Sequence, residues 1–201
     1  GVMTVMPATR LDEWLGLTPA VPQALLLAHM GLYASLWVYV SLVPALLRNR
    51  SELVFYLLGV LGLSLPGLAI FSLWPTQVPA YLADWSGHPA LAFMKGVDAG
   101  GNACPSLHVA FALYSAVWLA RVLHEVMAPR GVRVFNWLWA LAIVYSTLST
   151  RQHVLLDVLA GALLGWAVAW LQQLARPWWA RHLGTSLGGA RWQRWWLGSG
   201  A

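Results

Sequence analysis

From Leu53 to Trp74 the chain reads LVFYLLGVLGLSLPGLAIFSLW, twenty-two residues without one charged side chain. No other feature limits the fold as tightly. About 20 apolar residues in a helix span the ~30 Å hydrocarbon layer of a bilayer. Inside that layer every backbone N–H and C=O must be satisfied within the protein, so a lone run of this kind is a helix. Four further runs come close to the same length, at 24–47, 105–127, 134–151 and 153–175. The first carries His29 and Pro44. The 105–127 run is free of charge only from Val109 to Ala120 and ends in Arg121, His124 and Glu125. The last holds Asp157 in its opening turns and is then uncharged to Ala175. Ten-residue alternation, the mark of a membrane barrel, is absent. Charged residues make up 9% of the chain and hydrophobic ones 59%, whereas soluble domains are about 25% charged. The expected fold is all-α, a polytopic transmembrane helical bundle. It has five spans, or six if one precedes this sequence, which opens on Gly1.

The expected organisation is a single integral membrane domain over 1–201. Residues 1–23, broken by Pro7, Pro19 and Pro22, form an interfacial lead-in without the pattern of a cleavable leader. Residues 24–175 form the bundle. The connection from Pro75 to Ala103 is mostly loop, with one short helix near 88–95. From Arg176 onward tryptophan and arginine interleave through Trp178, Trp179, Arg181, Arg191, Trp192 and Arg194, which reads as a basic, Trp-rich cytoplasmic tail anchored at the interface. The formal net charge is +5. Its basic residues sit at the ends of apolar runs, which suits lipid headgroups and not nucleic acid. Arg48, Arg50, Arg121, Arg130, Arg133, Arg176, Arg181, Arg191 and Arg194 fall on one side of the membrane, against Arg10, Lys95 and Arg151 on the other. The positive-inside rule makes the first side cytoplasmic. The expected location is a bacterial inner membrane. Cys104 is the only cysteine, so no internal disulfide forms; it reads as a small packing residue.

Two stretches carry the chemistry: GGNACPSLHVA at 100–110 and STRQHVLLDVLAG at 149–161. The span starting near 105 and the span starting near 153 are separated by one return helix. Both therefore start at the same membrane face, away from the cytoplasm. That face collects Pro105, Ser106, His108, Arg151, His153 and Asp157. Pro105 suits a first helical turn, where its missing N–H is not needed. The N–H groups of Ser106 and Leu107 would then be free to bind an anion. His153 and Asp157, four apart, share a helix face. The carboxylate can fix the imidazole tautomer and leave the other nitrogen as base or nucleophile. Arg151 can fork onto phosphate oxygens. His108 is a candidate proton donor. Ionisable groups within spans are costly, so function is the default reading, although a lone His–x3–Asp pair is often only a structural hydrogen bond. Two histidines and an aspartate could hold zinc with an open position. Arg151 beside them repels a cation and welcomes an anion, so no metal or other cofactor is expected. Gly161 and Gly165 form a small-xxx-small pair and read as helix packing. His29 and His124 lie towards opposite faces and read as polar packing.

CPSLH and STLSTRQHVLLD resemble the second and third signature motifs of the type 2 phosphatidic acid phosphatase superfamily, P-S-G-H and S-R-x5-H-x3-D. Pro105, Ser106 and His108 match the former; Ser146, His153 and Asp157 match the latter at the family spacing. With Leu107 inside P-S-x-H, the chain is similar to the branch that includes inositol phosphorylceramide synthase-like proteins. The likeness covers about 53–175. Two departures stand out. Thr147 occupies the place of the family arginine, with Arg151 as a source of charge from another position. The family's first motif, K-x6-R-P, is missing, and Lys95 is its nearest substitute. The resemblance implies a metal-independent lipid phosphate phosphatase or phosphotransferase. His153 would attack phosphorus, Asp157 would orient it, and His108 would protonate the leaving oxygen. Arg151, Ser106 and Lys95 would hold the phosphate. The partners implied are a lipid phosphate substrate and membrane lipids. Two alternatives remain: a phosphoalcohol transferase of the inositol phosphorylceramide synthase type, and a non-catalytic protein that binds lipid phosphate.

Overall fold

The structure is a computed structural model that describes residues 3–4, 14–16, 20–47, 49–78, 86–97 and 102–183, the side chains of residues 3, 4, 94, 95 and 97 excepted. The helices among these are α1 (Gln23–Ala34), α2 (Leu36–Leu46), α3 (Arg50–Leu73), α4 (Pro89–Val97), α5 (Leu107–Glu125), α6 (Arg130–Ser149) and α7 (Leu155–His182). Five stretches are long and apolar enough to cross a membrane: Gln23–Leu46, Arg50–Leu73, Leu107–Glu125, Arg130–Ser149 and Leu155–His182. The expected all-α transmembrane bundle is what the chain forms. Lys95 lies on α4, with its side chain outside the described residues, as are most of the lead-in and 184–201.

The first span is two helices. Ser35 interrupts it, its Oγ donating to the Leu32 carbonyl at 2.7 Å while its N–H reaches both Gly31 and Leu32. A serine hydroxyl that competes for a helical carbonyl disturbs the regular ladder. At the other end of the chain, α7 continues through Arg176 and Pro177 to His182. This corrects the expected boundary of bundle and tail at 175/176. The last turns stay helical because they have partners on α3. Arg176 pairs with Glu52 at 3.0 Å. The Trp179 indole N–H donates to Ser51 Oγ at 2.9 Å, and its ring stacks on Phe55 at 5.0 Å. Trp179 is thus a buried core residue, not an interfacial anchor; Trp178 is exposed.

Helix α5 is the axis of the bundle. Lipid tails are as apolar as leucine, so spans associate through close packing and internal hydrogen bonds. The buried side of α5 alternates small residues (Ala110, Ala112, Ser115, Ala116) with Tyr114 and Trp118. Gln172 of α7 accepts from Tyr114 Oη at 2.8 Å and Trp118 Nε1 at 3.0 Å, and donates to the Phe55 carbonyl at 2.6 Å. Three spans are thereby tied through one amide. On the far side of α5, Tyr39 donates to Asn136 Oδ1 at 2.6 Å, and Asn136 Nδ2 donates to the Ala116 carbonyl at 3.0 Å. Leucines such as Leu61, Leu65, Leu159 and Leu163 cover the outside.

No strand is expected from the sequence, yet a two-strand parallel ribbon is present: β1 (Met3–Thr4) pairs with β2 (Thr76–Gln77). Thr76 has a second role. Its carbonyl accepts from Ala103 N–H at 3.1 Å, and its hydroxyl accepts from Cys104 N–H at 2.8 Å. The segment that leads into α5 is pinned there.

Candidate active site

The start of α5 and the start of α7 are joined directly. The Ser106 N–H donates to the Asp157 carbonyl at 3.0 Å. Gly161 and Gly165 sit one and two turns along α7, and a Cβ on either would strike the Ser106 or the Ala110 carbonyl. The two glycines are therefore what allows α7 to lie against α5 at this distance. The packing reading of the pair holds, and its consequence is chemical: His108 comes within electrostatic reach of His153, 45 residues later in the chain.

This arrangement corrects the expectation that the Ser106 N–H is free. Helix α5 begins at Leu107, with Ser106 as N-cap, whose Oγ accepts from Val109 N–H at 3.3 Å. Pro105 precedes the cap and is not in the first turn; its peptide bond with Cys104 is cis. Ser106 is fully buried, and its amide is already committed to Asp157.

Arg151 owes its position to the way α6 ends. Arg151 N–H donates to Leu148 at 2.9 Å, and Gln152 N–H reaches back to Thr147 at 3.1 Å. This is the paired closure of a Schellman turn, with Arg151 at the left-handed position normally given to glycine. Its φ is 54°. A left-handed conformation costs a side-chain-bearing residue roughly 1–2 kcal/mol. Strained residues of this kind concentrate at functional sites. Thr147 and Ser146 are buried, with hydroxyls turned onto their own helix at Val144 and Ile143. The Thr147 carbonyl accepts from both Gln152 and His153 N–H groups. Thr147 thus shapes the turn that presents Arg151 and His153.

Asp157 is fully buried in the first turn of α7. One oxygen, Oδ2, accepts from Val154 N–H at 3.0 Å and lies 3.6 Å from His153 Nδ1. That second separation is longer than a hydrogen bond. Catalytic contacts are often long before substrate arrives and tighten in the complex. With Nδ1 turned to the carboxylate, His153 keeps Nε2 for chemistry. His108 is held differently. Its Nε2 lies 2.9 Å from the Tyr33 carbonyl, and its ring stacks on the Tyr33 ring at 3.9 Å. A carbonyl only accepts, so Nε2 carries the hydrogen and Nδ1 is the position that gains or gives a proton. Beside the pair, burial and the neighbouring Asp157 carboxylate push the Cys104 thiol up to about 11. Cys104 is a neutral thiol against the carboxylate.

Three residues enter the site without a sequence signal of their own. Tyr33 is 75 residues from the histidine it orients. Cys104 abuts Asp157. Gln152, 3% exposed, has a buried Nε2 with no hydrogen-bond partner, as do His153 Nδ1 and Asp157 Oδ1. Its place between Arg151 and His153 in the motif is the one hint the sequence offers. Among the described residues, no three His, Cys, Asp or Glu side chains converge as a bound metal would require. His29, one turn before Tyr33 on α1, donates to the Leu25 carbonyl at 2.7 Å and packs on Tyr145.

A family model for the PAP2 superfamily matches residues 52–181, well over half of the chain, and includes Ser106, His108, Arg151, His153 and Asp157. No curated protein and no solved structure matches.

Proposed function

We propose, because the chain belongs to the PAP2 superfamily, whose members are typically phosphatases or phosphotransferases, that it transfers the phosphoryl group of a lipid phosphate through a phosphohistidine on His153. The observation that carries this is the Ser106–Asp157 backbone bond, which holds His108 and the His153–Asp157 pair at one end of the bundle. In the first step His153 Nε2 forms a bond to phosphorus, and the bond to the lipid oxygen breaks. The proton on His108 Nδ1 goes to that departing oxygen. The hydrogen on His153 Nδ1 faces Asp157, whose charge offsets the cation that forms on the imidazole. Arg151 takes the charge on the phosphoryl oxygens, with Lys95 as a further donor. A fixed guanidinium in a site sheltered from water is worth more than one in solution. In the second step an oxygen nucleophile attacks phosphorus, His108 takes its proton, and His153 is released.

Water as that nucleophile makes the enzyme a phosphatase; an alcohol makes it a transferase. Hydrolysis is the leading reading. The chemistry uses imidazole, carboxylate and guanidinium alone, and needs no metal. A lipid substrate is supported by the leucine-covered surface of α7, where Leu156, Leu159 and Leu163 are exposed beside Asp157 and over the next turns. Acyl chains can remain in the bilayer while the headgroup reaches the histidines. The arginine asymmetry supports an orientation with this end of the bundle away from the cytoplasm.

The test is to trap the intermediate. Protein mixed briefly with phosphatidic acid labelled in its phosphate should carry an acid-labile, alkali-stable label, and His153→Ala should carry none. A His153→Ala protein that turns over lipid phosphate at the wild-type rate would remove the nucleophile assignment. Phosphatidic acid bound without turnover by both proteins would favour the non-catalytic lipid-binding reading.

A further inference from the structure

His108 is held by two contacts, and Tyr33 supplies both. The two rings lie nearly parallel, 13° apart with centroids at 3.9 Å, and His108 Nε2 donates to the Tyr33 carbonyl at 2.9 Å. The contacts remove different freedoms. A stack fixes the plane of the imidazole and leaves it free to turn within that plane. A hydrogen bond at one nitrogen fixes that turn and leaves the ring free to tilt. Together they leave one pose, in which Nε2 is spent and Nδ1 is the position that exchanges a proton. Tyr33 belongs to the first span, outside the residues 52–181 that the family model matches.

The break in that span makes the carbonyl available. Tyr33 is the second-last residue of α1, so its carbonyl is among the last four of that helix. Such carbonyls lie beyond the helix's own ladder and are met by other groups. In an unbroken helix the N–H of Trp37, four residues on, would take this one. The interruption at Ser35 leaves it to His108. One turn before Tyr33, His29 packs on Tyr145 of α6 with ring centroids 5.6 Å apart. The C-terminal turn of that same α6 presents Arg151 and His153. The pose of His108 is thus set, through α1, from the helix that also sets the nucleophile and the guanidinium.

A stacked and hydrogen-bonded histidine inside a bundle is in itself ordinary packing. Direction separates packing from function. Packing needs the ring only to fill space, whereas proton transfer needs Nδ1 within hydrogen-bond reach of the reacting oxygen. We propose, on the acid role given above to His108, that Tyr33 is the positioning residue of that acid: its ring and its carbonyl together aim His108 Nδ1 at the departing oxygen. As the bond between phosphorus and the lipid oxygen breaks, the Nδ1 proton passes to that oxygen. His108 is left neutral, with its hydrogen on Nε2.

A misplaced acid is felt only by a leaving group that needs the proton. Dodecyl phosphate has such a group, an alkoxide. The phosphate ester of a dodecyl-substituted nitrophenol has the same tail, and its phenolate departs without a proton. The full chain in detergent is assayed on both esters. The quantity compared is kcat/KM, which covers the steps through the first irreversible bond cleavage. Tyr33→Leu removes the ring and keeps the backbone carbonyl. Its kcat/KM should fall by at least about tenfold on dodecyl phosphate and by less than about threefold on the aryl ester, within the ~10²–10⁴-fold that general acid–base catalysis supplies. Tyr33→Phe, which keeps the ring, should restore the rate on dodecyl phosphate. His108→Ala should show the same selectivity with a larger loss. Equal losses on the two esters in Tyr33→Leu mean a general disturbance of the site and overturn the proposal. So does wild-type behaviour of Tyr33→Leu, or a loss in Tyr33→Phe that matches it. A selective loss in His108→Ala with none in Tyr33→Leu overturns the role of Tyr33 alone. Equal losses on the two esters in His108→Ala remove the acid role itself, and the role of Tyr33 with it.

Discussion

Arg151 combines a backbone cost with the phosphate-binding role proposed for it. The turn that ends α6 wants glycine at this position, yet the chain places there a cation with φ 54°. The two properties separate by mutation. Arg151→Gly should melt no lower than wild type, because roughly 1–2 kcal/mol of left-handed strain is relieved. It should lose turnover by about 10²–10³-fold, the usual loss when a fixed donor to transition-state charge is removed. Arg151→Gln should lose a similar amount with an unchanged melting temperature. Thermal unfolding and lipid phosphate turnover on the two proteins decide it; wild-type turnover in Arg151→Gly would show that only the turn matters. Cys104 gives a pH test at the same scale. Its thiol is pushed up to about 11 by burial and by the Asp157 carboxylate. A raised value means that the neutral thiol persists as pH rises, so at pH 8 only roughly a thousandth is thiolate, the reactive form. Iodoacetamide labelling should be slow at pH 8 and climb towards pH 11. A climb centred near pH 8.5 would place the thiol in open water. Among single residues, the sequence exposes those whose spacing is chemical. His153 and Asp157 are a helical turn apart, and Pro105, Ser106 and His108 form a compact motif. Tyr33 is invisible because stacking on His108 depends on how the first span leans, and no local pattern encodes that. The Ser106 amide is misjudged for a related reason: whether an N-cap donor is free depends on which helix packs across it.

At the scale of elements, the junction of α5 with α7 is what makes a site. Gly161→Ala should be strongly destabilising, by about 1–3 kcal/mol or more from overpacking against a backbone carbonyl that cannot yield. It should also reduce turnover, because the same wedge parts His108 from His153. Gly31→Ala on α1 is the matched control, since a Cβ there meets nothing within 4 Å. That change should be neutral or add up to about 1 kcal/mol through helix propensity. Melting in detergent reads both, and equal behaviour of the two variants would contradict the role given to Gly161. The spans were legible from apolar length, and their existence and order follow directly. Their ends were not. Arg130 and Arg133 lie in the first turn of α6, and Arg176 lies well inside α7. A reading that stops at each charge ends the helix early, although such side chains reach to the interface or pair with a neighbour. Glu52, which holds Arg176, is 124 residues away.

At the scale of the whole molecule, the ion-paired side chains separate from the histidines along the bundle. Arg50 begins α3, and the pairing of Glu52, two residues on, with Arg121 of α5 and Arg176 of α7 brings all three arginines to one end. The histidines occupy the other. With Cys104→Ala as background, Lys95→Cys should label with a membrane-impermeant maleimide from outside intact cells. Labelling that requires broken cells would reverse the topology. The central claim concerns the chemistry at the histidine end. Its most direct test is release of inorganic phosphate from a panel of lipid phosphates in EDTA, by wild type and His153→Ala, with and without alcohol acceptors. The account predicts release by wild type that chelation leaves intact and that vanishes in His153→Ala. Formation of a new phospholipid, seen only with an acceptor and equally lost in the mutant, would keep the histidine chemistry and make the enzyme a transferase. Turnover that EDTA abolishes, or that His153→Ala retains, would contradict it.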